Sequence, residues 1–274
     1  MAKVATIILN RNLPEVADKL YDHLKKFDGE SADIFVIEAG SDLSKLSKYC
    51  TWYANSHDAI QNGLRYGRGM NFALSELWKS GEFNKYDAFL LLTNDTVLKQ
   101  TPTIEPLMQI MKEHPKLGIL SPCSDIWGAK LLLEKVHTKY FWFIHNNALL
   151  LRREFIECVC NNRKPDFMDF LFDGKNFRGY LTESELIAKA YANDWAAAIT
   201  SDVWASENES YLINQADLIK TEAYEENLRL YIEEGREWLR DKYGFNSRWS
   251  MQQYVKCFYD KFFDFHPELL QYKI

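Results

Sequence analysis

Asn94 and Asp95 are the side chains best placed to do chemistry, because they closely follow the apolar run Ala88 to Leu92. A continuous apolar run this short predicts a buried strand, and polar residues at its carboxyl end lie where open α/β sheets bind ligands. A carboxylate there can hold a hard divalent cation, which in turn can hold a diphosphate. The triplet Asn94-Asp95-Thr96 is also typical of an ordinary turn, since Asn and Asp favour turns.

The elements that must position these side chains alternate between strands and helices. Strands are predicted at Lys3 to Asn10, Ala32 to Glu38, Tyr49 to Ala54, Ala88 to Thr93, Leu117 to Ser121 and Trp142 to Leu151. Helices are predicted at Pro14 to Phe27, Met70 to Lys79 and Thr103 to His114. This alternation favours an α/β fold in which helices flank a mostly parallel central sheet.

The chain after about Ser210 has a different pattern, so we expect a domain of residues 1–212 and a helical extension of residues 213–274. Asn214 to Tyr243 is charged and helical, and Ser250 is placed to begin a last helix that ends at His266. One face of that helix carries an apolar stripe of Met251, Tyr254, Val255, Phe258, Phe262 and Phe265. The stripe can pack on its own domain or on a second copy of the chain, and peripheral membrane contact is the alternative.

Composition limits the function. Hydrophobic residues make up 47% of the 274 residues, which is enough for a large core. A formal net charge of −6 argues against a general nucleic-acid binder. The apolar start is too short for a signal peptide, and no apolar run is long enough to predict a transmembrane segment. The five cysteines show no disulfide or metal spacing, which favours a reducing, cytoplasmic compartment.

The order of the polar segments is more specific than any one of them. The first strand ends in Asn10-Arg11-Asn12, and the second ends in Glu38-Ala39-Gly40-Ser41-Asp42. A helix then opens at Gly69-Met70-Asn71, and a later strand is followed by Asn94-Asp95-Thr96. From Val4 to Ser210 this order resembles the family 2 glycosyltransferases, which have the Rossmann-like GT-A fold of nucleotide-diphospho-sugar transferases.

On the nucleotide side, the resemblance implies that Asn10, Arg11 and Asn12 line the pocket of a nucleotide-diphospho-sugar donor. Glu38 takes the place of the family's Asp that contacts the nucleoside, and its side chain has a longer reach. Gly40 and Ser41 match the family's Gly-Ser turn. The plain alternatives are that the two asparagines cap a helix and that Glu38 is a solvated strand end.

Arg68 and Asn71 match a region that approaches the nucleotide and diphosphate in the family. A guanidinium suits this role because its fork can donate two charge-assisted hydrogen bonds to phosphate oxygens. The alternative for Arg68 is a surface arginine near the start of a helix.

The metal triplet of the family is matched by Asn94-Asp95-Thr96, with Asn94 in place of an acidic residue. The resemblance implies that Asp95 is the principal ligand of Mg²⁺ or Mn²⁺, which would neutralise the diphosphate leaving group. Many members of the family add a late histidine, but Ser201 to Glu207 contains none. The rest of the metal shell therefore stays unassigned.

Inversion at the sugar needs a general base, which in the family comes from an acidic motif at the start of a helix. The matching stretch is Thr182-Glu183-Ser184-Glu185. Glu183 takes the base position, and Glu185 is the fallback if the register slips by two. Acidic residues are also favoured at any helix amino terminus by the helix dipole.

On the acceptor side, Trp142 could stack on a sugar, and Asn146 and Asn147 could hydrogen-bond one. A buried strand explains the aromatic residues of this segment equally well.

The expected function is therefore an inverting, metal-assisted transfer of a sugar from a nucleotide-diphospho-sugar to a hydroxyl of a glycan or lipid-linked acceptor. A sugar-phosphate nucleotidylyltransferase is a second possibility, but Asn10 to Pro14 lacks the glycine-rich, basic loop that such enzymes carry after the first strand. A third is a degenerate, non-catalytic subunit that binds sugar nucleotides within a glycan assembly system.

Overall fold

The structure is a computed structural model that describes residues 3–124, 137–144, 148–160, 164–208, 210, 214 and 217–274. The strands in these ranges are β1 (Val4–Asn10), β2 (Ala32–Glu38), β3 (Cys50–Tyr53), β4 (Ala88–Thr93), β5 (Thr96–Leu98), β6 (Leu117–Cys123), β7 (Thr138–Tyr140), β8 (Ala148–Arg152) and β9 (Ala196–Glu207). The helices are α1 (Pro14–Asp28), α2 (His57–Asn62), α3 (Arg65–Lys79), α4 (Ile104–Glu113), α5 (Arg153–Val159), α6 (Thr182–Ala192), α7 (Tyr224–Tyr243) and α8 (Arg248–Phe265).

The nine strands form one mixed sheet in the order β3-β2-β1-β4-β8-β6-β9-β5, with β7 on β9. Strands β3, β2, β1 and β4 are mutually parallel, whereas β8 runs antiparallel between β4 and β6. The predicted α/β fold is confirmed, with a mixed rather than a purely parallel sheet.

The parallel half of the sheet places the candidate site residues side by side. Strands β1 and β4 are almost wholly buried, as expected for strands covered by helices on both faces. In the register of β1, Asn10 lies opposite Glu38 of β2, and Leu9 lies opposite Thr93 of β4. The carboxyl ends of three strands therefore meet at one edge, which is where open α/β sheets bind ligands.

Several element boundaries differ from the sequence prediction. Helix α3 begins at Arg65 rather than Met70, so Gly67 and Gly69 lie within the helix. The reason is close packing: a Cβ on Gly69 would lie 2.4 Å from a methyl carbon of Leu9, and one on Gly67 would lie 3.3 Å from the Cβ of Phe172. These glycines indicated a loop in the sequence, but they allow the helix to approach its neighbours.

Strand β8 begins at Ala148 rather than Trp142, and β6 continues to Cys123. In the last part of the chain, α7 begins at Tyr224 rather than Asn214, and α8 is capped by Ser247 rather than Ser250. The hydroxyl of Ser247 accepts a hydrogen bond from the backbone of Ser250, which is a typical amino-terminal cap.

The two C-terminal helices share the core of the sheet domain. Met251, Val255 and Tyr259 of α8 are fully buried and belong to the same hydrophobic cluster as β1 and β4. The stripe of α8 therefore packs mostly on its own chain, whereas Phe265 at its end is 77% exposed. No helix within the described ranges is long and apolar enough to cross a membrane.

Gly235→Ala tests how closely α7 packs on the rest of the molecule. A Cβ at Gly235 would lie 2.2 Å from the Cβ and Cγ atoms of Tyr180. We expect the substitution to lower the free energy of unfolding by about 1–3 kcal/mol through overpacking. At an exposed helix position the same change would raise it by roughly 0.5–1 kcal/mol. Urea unfolding of wild type and Gly235→Ala measures this difference. The substitution Arg236→Ala at the exposed neighbouring position is the control, for which we expect a change of about 0.5 kcal/mol or less.

Candidate active site

A buried carboxylate organises the edge where β1, β2 and β4 end. Glu38 is completely buried, and its two oxygens accept hydrogen bonds from the side-chain amide of Asn10, at 3.0 Å each. It also accepts hydrogen bonds from the hydroxyl of Ser41 and, at 2.7 Å, from the backbone of Ser47. Glu38 thus directs its acceptors into the protein and is neither a solvated strand end nor a group facing the cavity described below.

Asn10 in turn orients Asn94, the first residue of the predicted metal triplet. Its side-chain oxygen accepts a hydrogen bond of 2.7 Å from the side-chain amide of Asn94, whose backbone N–H donates to Leu9 at 3.1 Å. This bond fixes the orientation of the Asn94 amide, whose oxygen is the acceptor that Asn94 can offer to a cation. Asp95 follows in the turn between β4 and β5.

Asn12, Gly40 and Ser41 set the shape of the neighbouring loops. The Asn12 backbone donates to the Ser41 hydroxyl at 2.9 Å, and its side-chain oxygen accepts from the backbone of Asp42 at 2.7 Å. Gly40 has φ +81°, and a Cβ there would collide with the backbone of Ala59 at 1.7 Å, so only glycine fits. Helix α1 has no side-chain cap, so Asn12 does not serve as one.

A cavity of about 250 Å³ opens at this edge of the sheet. Its polar lining includes Asn10, Arg11, Arg65, Tyr66, Asn94 and Asp95. Gln61 and Ile60 each accept a hydrogen bond of 3.1 Å from a terminal nitrogen of Arg11 through their backbone oxygens, which holds that guanidinium in place. Four of the residues predicted from the sequence therefore line one cavity, namely Asn10, Arg11, Asn94 and Asp95.

Burial and neighbouring positive charge disfavour the charged form of the two guanidiniums in the cavity wall. Burial and the charge of Arg65 lower the pKa of Arg11, and burial and the charge of Arg178 lower the pKa of Arg65. The buried Nε atoms of Arg11 and Arg65 have no hydrogen-bond partner among the described residues. A chain with a net charge of −6 therefore has a cavity lined by two cations, a surrounding that favours an anionic ligand.

Residues 217–222, which we name the strap, cross the cavity from the C-terminal extension. Leu218 accepts a hydrogen bond of 2.8 Å from the side chain of Asn12, and Lys220 forms an ion pair with Asp42. Ile219 and Thr221 complete the cavity wall. The C-terminal part of the chain therefore contributes to the candidate site.

Glu222 at the end of the strap joins two arginines. It forms ion pairs with Arg178 at 2.7 Å and with Arg65 at 3.1 Å, and the hydroxyl of Thr221 accepts a further bond of 2.7 Å from Arg65. Hydrogen bonding from Arg178 holds the pKa of Glu222 well below its ordinary value. The carboxylate therefore balances the positive charge beside the cavity.

Glu183 lies in the first turn of α6 and is not one of the residues that line the cavity. Glu183 is half-buried. Burial is the main cause that raises the pKa of Tyr66, which lines the cavity, and of Tyr231 in α7. The negative charge of Glu183 is the second cause for both tyrosines. The residue before α6, Leu181, has φ +55°, a left-handed conformation that is strained for leucine. Glu183 thus belongs to a helix whose start is conformationally restricted.

Glu185 points to a different part of the molecule. Its side chain is 4% exposed, accepts a hydrogen bond of 2.5 Å from the Tyr243 hydroxyl and pairs with Lys242 at 2.7 Å. Both partners lie at the C-terminal end of α7. These contacts give Glu185 a role in docking α7.

Arg68 and Asn71 do not line the cavity. Asn71 is completely buried, where its side chain accepts from the backbone of Leu171 and Phe172 at 3.0 Å and donates to Phe172 at 2.8 Å. Arg68 donates to the carbonyl of Gly174 at 2.7 Å and lies over the ring of Phe177. Both side chains hold the segment that leads to α6, so their assignment to the nucleotide stays a prediction without a supporting contact.

Sequence reasoning missed Arg65 and Tyr66. Both belong to the first turn of α3, which the sequence prediction started five residues too late.

The acceptor-side prediction is only partly open to inspection. Asn146 and Asn147 lie outside the described residues. Trp142 packs against Tyr259 of α8 with ring centroids 5.2 Å apart, and the Lys256 ammonium lies 5.3 Å from its ring centre. The Trp142 ring therefore contributes to the contact between α8 and the sheet domain.

The described residues do not form a complete metal site. Among the described residues, no group of three or more His, Cys, Asp or Glu side chains is arranged to hold a metal ion. The oxygens of Asp95 and Asn94 nevertheless suit Mg²⁺ or Mn²⁺, hard ions that proteins often bind through one or two carboxylates together with substrate phosphates and water. The residues therefore fit an ion that is held largely by its substrate.

Solved structures with a similar fold are nucleotide-sugar glycosyltransferases. S. aureus TarS in complex with UDP-GlcNAc aligns with a TM-score of 0.53 at 13% identity, over 96% of this chain and 73% of that one. The mannosyltransferase PcManGT from Pyrobaculum calidifontis, in complex with GDP-Man and Mn²⁺, aligns at 0.51 and 12% identity, over 94% and 86%. GalNAc-T7 with UDP, GalNAc and Mn²⁺ aligns at 0.54 and 8% identity, over 99% of this chain but 58% of that one.

These similarities establish that the chain has the GT-A fold, as the sequence predicted. A scan against protein-family models and a search of curated proteins found no match.

Glu185→Gln tests the docking role of that carboxylate. Replacing a buried, charged acceptor should lower the free energy of unfolding by about 1.5–3 kcal/mol, because the bonds to Tyr243 and Lys242 lose their charge. Urea unfolding provides the measurement. Glu237→Gln, at an exposed position of α7, is the control, and an equal effect of the two substitutions would contradict the assignment.

Glu222→Gln tests the charge balance at the strap through pH. Because its pKa in the folded protein lies below the ordinary 4.5, Glu222 stabilises the fold fully above that pH and loses this effect as the pH falls further. We expect the difference in unfolding free energy between wild type and Glu222→Gln to be constant above about pH 5.5 and to shrink below pH 4.5. The exposed Glu225→Gln is the control, and a pH-independent difference for Glu222→Gln would refute the ion pairs.

Proposed function

We propose that this protein is a glycosyltransferase that binds a nucleotide-diphospho-sugar in the cavity at the carboxyl ends of β1 and β4. The observation that carries the proposal is the convergence, within a GT-A fold, of Asn94 and Asp95 with the guanidiniums of Arg11 and Arg65 around one cavity. A diphosphate with its cation needs both positively charged donors and oxygen ligands for the metal, and this cavity has residues of both kinds.

The two arginines would bind the diphosphate. Both arginines line the cavity, so a ligand with negatively charged oxygens would be attracted to their guanidiniums. The anion would also relieve the repulsion that lowers the pKa of Arg11. Arg65 would then share its charge between the ligand and Glu222, which lies 3.1 Å away.

Asp95, with the amide oxygen of Asn94, would hold Mg²⁺ or Mn²⁺ at the diphosphate. When bound, such an ion neutralises charge on the leaving group. Two of the similar structures contain Mn²⁺ together with GDP-Man or UDP, which supports this part of the proposal.

Glu183 would act as the general base of an inverting transfer. Its carboxylate takes the proton of an acceptor hydroxyl while that oxygen bonds to the anomeric carbon and the bond from this carbon to the diphosphate oxygen breaks. The charge of Glu183 acts on Tyr66, which lines the cavity, whereas Glu185 is engaged by Tyr243 and Lys242, and this difference supports Glu183 as the base. The proposed acceptor is a hydroxyl of a glycan or of a lipid-linked sugar.

Asp95→Asn and Glu183→Gln test the proposal by calorimetry and by product analysis. Wild type should bind one of UDP, GDP or dTDP and release it from the matching sugar nucleotide only when Mg²⁺ or Mn²⁺ is present. Asp95→Asn should lose the metal-dependent binding. Glu183→Gln should keep nucleotide affinity and lose about 10²–10⁴-fold in kcat, the usual contribution of a general base.

Asp87→Asn is the matched control, because Asp87 precedes the amino end of β4 and hydrogen-bonds the backbone of Lys3. It should keep both binding and turnover. Unchanged transfer in Asp95→Asn and Glu183→Gln would refute the residue assignments. Metal-dependent binding without turnover on any acceptor would instead indicate a non-catalytic subunit.

A further inference from the structure

The guanidinium of Arg65 is bound by the strap. Its Nη2 atom donates to the hydroxyl of Thr221 at 2.7 Å and to a carboxylate oxygen of Glu222 at 3.1 Å. The Arg65 side chain is 20% exposed and the residue lines the cavity, so it also remains accessible to a ligand. An anion that reaches Arg65 therefore meets a carboxylate that is already paired with it.

The strap also narrows the cavity that we assign to the donor. Ile219 and Thr221 form part of its wall, and the volume of the cavity is about 250 Å³. Pockets for drug-sized ligands usually measure roughly 300–1,000 Å³. A nucleotide-diphospho-sugar is at least as large as such ligands, so it needs more space than this arrangement of the strap leaves. Outward movement of the strap would provide that space.

Polar contacts attach the strap to the rim of the cavity. The Leu218 carbonyl accepts a hydrogen bond from Asn12 at 2.8 Å, and Lys220 pairs with Asp42. Both members of that ion pair are solvent-accessible, and such pairs stabilise little. The attachment at Glu222 differs, because the arginines that it pairs with are largely buried and charge-assisted hydrogen bonds are the stronger ones. Glu222 is therefore the principal polar attachment of the strap.

Arg178 allows Glu222 to release Arg65 without leaving its carboxylate unpaired. The two terminal nitrogens of Arg178 donate to the two oxygens of Glu222 at 2.7 and 2.9 Å, which is a bidentate pair. Arg178 itself is held on α7 by Asn227 at 2.6 Å and by Glu234 at 3.1 Å. Glu222 thus has one fixed partner in Arg178 and a second partner, Arg65, that a ligand can reach.

We infer that Glu222 is an autoinhibitory residue of the donor site, whose carboxylate pairs with Arg65 and holds the strap at the cavity until the diphosphate of the donor takes its place on Arg65. The exchange leaves no charge unpaired, because Arg65 pairs with a phosphate oxygen while Glu222 keeps Arg178. Donor binding and movement of the strap are coupled, since the ligand favours the arrangement in which Arg65 is released. The inference rests on the proposed function and adds a regulation of the same site.

Glu222→Gln tests the inference because it removes the competing charge and keeps the shape of the side chain. Calorimetric titration would compare UDP, GDP, dTDP and inorganic pyrophosphate, each with Mn²⁺. We expect the affinity for pyrophosphate and for the best nucleoside diphosphate to rise about tenfold, since Arg65 no longer has an anionic partner to give up. The same substitution weakens the fold at neutral pH, so a merely structural role of Glu222 predicts the opposite direction.

Glu234→Gln is the matched control. Glu234 also pairs with Arg178, at 3.1 Å, and the substitution removes the same charge from the chain. Glu234 lines a separate groove together with Asp173 and Trp238, rather than the cavity. In about 0.15 M salt, which screens exposed charges at a distance, the affinity for pyrophosphate should stay within about twofold of wild type.

Thr221→Val is a second variant that weakens the same attachment without changing the charge. The Thr221 hydroxyl accepts from Arg65 at 2.7 Å and donates to Glu222 at 3.0 Å. Its removal should raise the affinity for pyrophosphate about threefold, because one bond to Arg65 is lost. In the ligand-free protein, tryptic cleavage after Lys220 should be faster in Thr221→Val and Glu222→Gln than in wild type and Glu234→Gln, since cleavage follows the population of the released strap.

Two results would overturn the inference. Equal or lower pyrophosphate affinity in Glu222→Gln and Thr221→Val would show that the strap assists binding instead of opposing it. An equal gain in Glu234→Gln would assign the effect to net charge rather than to Arg65. A failure of the proposed function looks different, because wild type and all three variants would then bind neither the nucleotides nor pyrophosphate.

Discussion

The buried carboxylate of Glu38 is the contact on which the rest of the candidate site depends. Its oxygens accept hydrogen bonds from the side-chain amide of Asn10, the hydroxyl of Ser41 and the backbone N–H of Ser47, and so they point into the protein rather than into the cavity. Asn10 in turn orients Asn94. A carboxylate buried without these donors would be too costly to keep, so the fold and the orientation of the site are maintained by the same bonds.

The second constraint is the charge beside the cavity. Arg65 and Arg178 are brought together by the fold, and Glu222 is the carboxylate that pairs with both. Because Glu222 ends the strap, the C-terminal extension fixes the electrostatics of a site whose other residues come from the sheet domain. The extension shares the hydrophobic core through α8 and is thus part of the structural unit that builds the cavity.

The positions of Asn10, Asn94 and Asp95 could be predicted from the sequence, because short apolar runs define strands and strand ends define an edge. The roles of Glu183 and Glu185 could not be separated, since both lie in the first turn of α6 and only packing against α7 distinguishes them. Arg65 escaped prediction because its partner Thr221 is 156 residues away. Contacts of such separation depend on tertiary packing, which no local pattern encodes.

The most direct test of the account is a crystal structure of the protein with Mn²⁺ and the nucleoside diphosphate that binds best. We expect the diphosphate between Arg11 and Arg65, with the metal ion on Asp95. A nucleotide bound elsewhere, for example in the groove between Glu30 and Arg152 at the opposite edge of the sheet, would contradict it.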